Sequence, residues 1–176
     1  MCLALALGAF ALVSVAGCPQ PAPNAQQASG SNINPGTYTG DADHESKFYC
    51  DGELLDQAAY SVPLSVTINE NGQWLSDVDG TPIQAGYSGQ FVVGDITVTK
   101  TATSVVSVSD SIIVRGTIIC VAHQQPDNPI TGVSTITCKK LTDSSIEYTE
   151  SWFGASSADY TPVCTMRMGW EGTLRL

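Results

Sequence analysis

Basic residues are scarce in this chain, which has 7 Lys and Arg against 17 Asp and Glu and a net charge of −10. Proteins that bind nucleic acid need a basic surface, so this balance excludes that class. Charged residues make up only 14% of the 176 residues, while apolar residues make up 43%, too many for a wholly disordered protein. We therefore predict a folded domain whose partners do not include nucleic acid.

A hydrophobic run long enough to span a membrane is also missing. The uncharged run at residues 2–16 is shorter than the roughly 20 apolar residues of a transmembrane helix, and it ends in small residues, as a secretory signal does. The sequence Val15-Ala16-Gly17-Cys18 resembles the lipobox of bacterial lipoproteins. The resemblance implies cleavage after Gly17 and attachment of diacylglycerol to Cys18. An ordinary signal peptide cut near Ala16 is the alternative.

The segment after Cys18 carries no charge and is rich in Pro, Gln and Asn. Such a composition cannot bury enough apolar surface to become ordered, so we predict a disordered tether. The chain then divides into a signal peptide (1–17), an acylated cysteine with its tether (18–34) and a folded domain (35–176). Pro19, rather than Asp, follows Cys18, which by a bacterial sorting rule favours export to the outer membrane.

The composition of the domain indicates an all-β fold. Beyond residue 17 there are 13 Val, 11 Ile and 17 Thr but only 7 Leu, and β-branched residues favour strands. Apolar residues alternate with polar ones in several segments, as in strands with one buried face. The predicted strands are 36–49, 60–69, 73–77, 91–108, 111–122, 132–141, 145–153 and 165–176. Short connections between them favour an antiparallel up-and-down barrel of about eight strands, with a two-sheet sandwich as the alternative.

Three local features accompany this strand pattern. Residues 51–60 are the only helix candidate, of one to two turns. Gly94-Asp95 is either a turn or a bulge, and the continuing alternation favours a bulge within one long strand. Residues 124–131 contain two prolines and are predicted to form a loop.

Four cysteines remain in the predicted mature domain, and an even number in an exported domain predicts two disulfides. If the first strand pairs with the last, with Tyr38 near the C-terminus, the same antiparallel register brings Cys50 beside Cys164. Pairing that is symmetrical about Pro129 brings Cys120 opposite Cys138. We therefore predict Cys50–Cys164 and Cys120–Cys138.

The sequence contains no complete motif for a metal or catalytic site. Cys120 and His123 have the spacing of two zinc ligands, but strand alternation points them to opposite faces. Asp77-Val-Asp79-Gly80 and the acidic residues of 41–56 lack the complete pattern of a calcium loop. His44 lies among carboxylates, yet no G-x-S-x-G motif accompanies it, and we interpret this stretch as a solvated polar turn. We predict no catalytic residue, no metal and no cofactor.

The domain weakly resembles lipocalins in three short motifs. Gly36-Thr37-Tyr38 is similar to the G-x-W of their first strand, Arg175 to the basic residue that covers this ring, and Asp159-Tyr160 to their second motif. The domain also resembles small β-barrel domains of uncharacterised bacterial lipoproteins. The lipocalin resemblance implies a ligand cavity, which an eight-stranded barrel can hold. The candidate lining residues are Tyr38, Phe48, Trp74, Trp152, Met166, Met168 and Trp170, and ordinary core packing is the alternative.

Together these features predict a non-catalytic, lipid-anchored domain of the cell envelope that acts as an interaction or structural module. Its expected partners are the membrane, through the anchor, and an envelope protein. The alternative function is binding of a small apolar ligand.

Overall fold

The computed structural model describes residues 30–93, 96–123, 125–159 and 161–176, and it is all-β. Within these ranges nine strands follow one another: β1 (Gly36–Cys50), β2 (Glu53–Ile68), β3 (Trp74–Leu75), β4 (Ser88–Val93), β5 (Ile96–Val108), β6 (Ser111–Ala122), β7 (Gln125–Thr142), β8 (Ser145–Ala155) and β9 (Cys164–Arg175). No helix in these ranges is long and apolar enough to cross a membrane.

All nine strands form one antiparallel sheet in the order β3-β2-β1-β9-β8-β7-β6-β5-β4. The first strand pairs with both β2 and β9, as the sequence predicted, and every other neighbour follows in chain order. The outermost strands β3 and β4 do not pair, so the sheet is an up-and-down meander that is not closed into a barrel.

Three local predictions were wrong. Residues 53–60 belong to β2 and form no helix, because the chain reverses at Asp51 and Gly52, both with positive φ, and then pairs with β1. Val93 pairs with Ile96, so β4 and β5 form a hairpin and not one bulged strand; Gly94 and Asp95 lie outside the described residues. The strand β7 begins at Gln125, and the segment predicted as a loop forms its irregular first part.

The sheet curls so strongly that both of its outer strands reach the central strand β8. Trp74 of β3 meets the Tyr148 ring edge-on at a centroid distance of 6.2 Å, and Phe91 of β4 lies 6.2 Å from the Trp152 ring. The β3–β4 connection bridges part of the opening, because the Ala102 amide of β5 donates to the Tyr87 carbonyl at 2.8 Å. One face of the sheet is therefore an enclosed core, and a gap remains between β2 and β4.

The chain entering β1 closes one end of this core, which we call the plug end. Ile33 is 2% exposed and packs in the core cluster that contains Tyr38. The Ser31 amide donates to the Gly72 carbonyl and the Asn32 amide to the Ser109 carbonyl. Gly72 has a φ of +68°, and a Cβ there would lie 2.3 Å from the Ser31 carbonyl oxygen. Residues 31–33 thus pack against the sheet, just before the predicted start of the domain.

Replacing Ile33 with Ala is expected to lower the free energy of unfolding by about 2–4 kcal/mol, because it removes buried methylene groups and leaves a cavity. Urea unfolding measures the loss. Ile119→Ala, at a position 42% exposed, is the matched control and should cost less than about 1 kcal/mol. Equal effects at the two positions would mean that residues 30–34 are not part of the folded unit.

The opposite end, which we call the disulfide end, is fastened by the Cys50–Cys164 bond. These residues are register partners on β1 and β9, with Cα atoms 4.1 Å apart, which confirms this predicted pair. Disulfides persist in oxidising compartments, so the bond fits an oxidising, exported environment.

Candidate functional site

Polar and aromatic side chains meet on the enclosed face of the sheet. Strand register places Tyr60, His44, Trp170 and Glu150 side by side on β2, β1, β9 and β8. These residues share the alternation that points Tyr38, Ala42 and Leu174 into the core. The site is therefore built by the sheet itself and not by loops.

A continuous row of rings crosses this face from β2 to β4. The His44 ring centroid lies 4.5 Å from that of Tyr60 and 4.4 Å from that of Trp170. The Trp170 centroid is 5.0 Å from that of Trp152, which in turn neighbours Phe91. We call Tyr60, His44, Trp170, Trp152 and Phe91 the aromatic row. It connects the two sides of the gap in the sheet.

The buried carboxylate of Glu150 is held by three donors. One oxygen, Oε1, accepts hydrogen bonds from the Lys100 ammonium and, at 2.5 Å, from Trp152 Nε1. The other, Oε2, accepts from the Tyr148 hydroxyl at 2.5 Å. The Lys100 ammonium also lies 4.8 Å from the centroid of the Trp152 ring. Burial and the adjacent carboxylate raise the pKa of Tyr148 well above its usual range. These hydrogen bonds pair the buried charge and occupy both carboxylate oxygens, so the network stabilises the core.

His44 was predicted to lie in a solvated turn, and this prediction was wrong. The side chain is only 4% exposed, while its neighbours Asp43 and Glu45 point to solvent from the other face of β1. Its Nδ1 atom is buried and has no hydrogen-bond partner among the described residues. Burial lowers the pKa of His44, and this effect outweighs the opposing influence of the Gly169 backbone and of nearby carboxylates.

This lowered pKa predicts a loss of stability on mild acidification. Below about pH 6.5, the ordinary His pKa, the imidazole of the unfolded chain binds a proton more readily than the buried imidazole of His44. The free energy of unfolding therefore decreases as the pH is lowered. Urea midpoints measured from pH 7.5 to pH 5.5 should therefore decrease in the native protein. The His44→Phe variant should lose less over the same range. Parallel curves for the two proteins would contradict the assignment.

The seven predicted cavity residues all lie on the enclosed face, but they divide between two core clusters. Tyr38 and Trp74 belong to the plug-end cluster. The other five, Phe48, Trp152, Met166, Met168 and Trp170, belong to the disulfide-end cluster, and Trp170 contacts both. Tyr38, Trp152 and Met166 are buried by other side chains, which corresponds to the core-packing alternative.

A shallow depression of about 370 Å³ lies across β1 and β2. It is lined by Thr39, Gly40, Asp41, Pro63, Leu64 and Ser65. None of the seven predicted residues contributes to it.

Cys120 and Cys138 are free and buried, so the predicted disulfide between them was wrong. Register pairs Cys120 with Ile130 and Cys138 with Ile112, which places the two cysteines eight residues, or roughly 26 Å, apart along the ladder. The error arose because β7 begins earlier than predicted, which moves the axis of pairing. Burial raises the pKa of Cys120 to about 11 and that of Cys138 still further.

The zinc and calcium alternatives are not supported in the described ranges, because no group of three or more His, Cys, Asp or Glu there could hold an ion. Cys120 points into the core, whereas His123 is exposed and its Nε2 lies 2.9 Å from the Thr97 hydroxyl. In the Asp77–Gly80 segment, Asp79 accepts hydrogen bonds from the Thr81 amide and hydroxyl. These bonds lower the pKa of Asp79 and identify the segment as a turn.

The lipocalin-like residues do not meet as the resemblance implied. Tyr38 is fully buried, and its hydroxyl donates to the Asn34 carbonyl at 2.9 Å. Arg175 is exposed and pairs with Thr39, so it lies on the opposite face of the sheet from Tyr38. Tyr160 lies outside the described residues.

Sequence reasoning missed an apolar area on the outer face of β6, β7 and β8. Its members, Ile119, Val133 and Phe153, are 42%, 60% and 45% exposed. Val133 and Phe153 are register partners, and Ile119 pairs with Thr131, two residues from Val133 on the same face. The Arg167 guanidinium lies 5.5 Å from the Phe153 ring centroid. We call Ile119, Val133 and Phe153 the lateral patch.

Comparisons with known protein families, curated proteins and solved structures find no significant match to this chain. The fold and site therefore define a class only: an all-β domain made of one curled meander with a packed, partly polar core.

Proposed function

We propose that the protein is a lipid-anchored module of the cell envelope that binds another envelope protein and catalyses no reaction. The lipobox-like sequence that ends at Cys18 supports the anchor, and Pro19 supports the outer membrane as its destination. The Cys50–Cys164 bond fits an oxidising envelope compartment.

The lateral patch is the observation that carries the binding role. Exposed apolar side chains that form a contiguous patch among polar neighbours, here Thr117, Thr131 and Ser151, mark interaction surfaces. Aromatic residues and Arg are enriched in interface cores, and Phe153 and Arg167 stack here. The two oxygens of Glu150 are already engaged by core donors, so this carboxylate is suited to stabilisation and not to proton transfer.

Photo-crosslinking in the native envelope tests the binding role. A photoreactive side chain at Val133 or Phe153 should give an adduct with one discrete protein. The same group at Thr39, an exposed site on β1, is the control and should give none. Val133→Glu should abolish co-purification of that protein while changing stability by less than about 0.5 kcal/mol, because the site is exposed. Equal labelling from all three positions would contradict a defined interface.

Binding of a small apolar ligand is the second candidate function. It is favoured by the partial exposure of Tyr60, Trp170 and Phe91 beside the gap between β2 and β4. Titration with a fluorescent fatty acid tests it, with Trp170→Ala as the matched variant. Saturable binding that weakens in the variant would support this function, and an absence of binding would remove it.

A further inference from the structure

We infer that the plug end of the domain rests on the lipid bilayer, so that the disulfide end points away from the membrane. This inference rests on the proposed anchor at Cys18. Its own basis is the entry of the chain at the plug end, together with exposed apolar side chains and a smaller excess of acidic residues at the same end.

The exposed apolar side chains line the rim of the plug end. Val108, Leu141 and Leu176 are 55%, 48% and 56% exposed, and we call them the apolar rim. Hydrogen bonds place them around neighbouring turns: the Lys140 amide donates to the Asp110 carbonyl, and the Leu176 amide to the Ser144 carbonyl. Apolar side chains at such a rim can enter the headgroup region and gain burial there. Leu54, Leu55 and Val163 are exposed near the disulfide end as well, so the entry of the chain decides between the two ends.

The chain enters the fold at this same end. Ser31 is hydrogen-bonded to Gly72, which lies in the turn that connects β2 and β3. Cys18 precedes Ser31 by 13 residues, and a chain of that length spans at most about 45 Å. The strand β1 has 15 residues, so the disulfide end lies roughly 50 Å beyond the plug end. Cys18 can therefore lie in a bilayer at the plug end without extension, whereas a bilayer at the disulfide end would require a nearly fully extended chain between Cys18 and Ser31, at a cost in conformational entropy.

The difference in charge between the two ends is small and has the same direction. The turns and strand ends of the plug end carry Lys139, Lys140 and Arg175 against Asp41, Glu70, Asp110, Asp143 and Glu147, an excess of two acidic residues. At the disulfide end, Asp51, Glu53, Asp56, Asp127 and Asp159 stand against Lys47 and Arg167, an excess of three. An anionic membrane surface repels acidic groups, so the less acidic end approaches it at the lower electrostatic cost.

Depth-dependent quenching tests the orientation in the full acylated chain. The protein is reconstituted in vesicles of phosphatidylethanolamine and phosphatidylglycerol, with an environment-sensitive dye on Val108→Cys or Leu141→Cys. Controls of similar exposure are Leu55→Cys near the disulfide end and Val133→Cys on the lateral patch, at 58% and 60%. The native thiols Cys120 and Cys138 are buried and should not be labelled in the folded protein.

We expect a blue shift, and quenching by spin-labelled lipid, at positions 108 and 141 and neither at 55 and 133. Equal signals at all four positions, or stronger signals at 55 or 133, would overturn the orientation even if the chain is acylated and stays on the vesicles. A mass spectrum without acyl groups on Cys18 would instead refute the anchor, and the orientation with it. The two failures are therefore distinguishable.

Discussion

Replacement of Lys100 by Met is expected to lower the free energy of unfolding by about 3–5 kcal/mol, because it leaves the Glu150 carboxylate buried without its cation. Glu150 is 9% exposed, and only the Tyr148 hydroxyl and Trp152 Nε1 would remain as donors. Replacement of Glu150 by Met should be similarly harmful, because it strands the Lys100 ammonium against the Trp152 ring. Chemical denaturation of both single variants measures these losses.

The double variant Lys100→Met/Glu150→Met measures how strongly the two charged groups interact with each other. It should be considerably more stable than the sum of the single losses predicts, because neither charge is then buried alone. Lys47→Met is the control, since Lys47 pairs with Glu45 at 2.6 Å on the surface and should cost less than about 1 kcal/mol. Additive losses in the double variant, or equal losses at Lys47 and Lys100, would show that the pair does not form in the core.

Removal of the disulfide in Cys50→Ser/Cys164→Ser is expected to cost about 4–5 kcal/mol of stability on the chain-entropy account. The large value follows from a sequence separation of 114 between the two cysteines. A reducing agent should destabilise the native protein by a similar amount, as measured by the shift of its urea midpoint.

The same reducing agent should leave the Cys50→Ser/Cys164→Ser variant unchanged, because Cys120 and Cys138 are free thiols. Their burial and raised pKa values predict that alkylating reagents modify them only after unfolding. Peptide mapping without reduction that finds Cys120 joined to Cys138 would contradict the register between β6 and β7.

Much of the sheet was predictable because one side of it is buried and the other is solvated. This environment produces an alternation of apolar and polar residues that locates strands such as β8 and β9. The pairing of β1 with β9 followed from the expectation that the two ends of the domain meet, and it brought Cys50 beside Cys164. The strand at residues 53–60 escaped prediction because Leu54 and Leu55 are exposed and produce no alternation.

The site was harder to predict because its polar members lie at apolar positions of the pattern. Glu150 lies on the same face of its strand as Tyr148 and Trp152, and His44 on the same face as Tyr38 and Phe48. The alternation therefore places both side chains on the buried face of the sheet. Composition concealed His44, because its exposed acidic neighbours make the stretch look solvated. The contact of Lys100 with Glu150 depends on the curl of the sheet across three strand pairings, which no local pattern records.

The proposed anchor, lateral patch and apolar rim together describe one arrangement of the domain at a membrane. If the plug end rests on the bilayer, Val133 lies partway up the side of the domain and remains accessible to a neighbouring envelope protein. The acidic disulfide end then faces the aqueous compartment. The lateral patch and the apolar rim have separate roles in this arrangement, and their variants should affect different measurements.

Native mass spectrometry of the protein extracted from its own envelope in mild detergent reports the mature N-terminus, its acylation and any bound partner in one experiment. We expect a mature chain that begins at Cys18, carries acyl groups there, contains one disulfide and two thiols, and retains a bound partner protein that Val133→Glu releases. A chain that begins elsewhere without acyl groups, and that remains alone in the native protein and in the variant, would contradict this expectation.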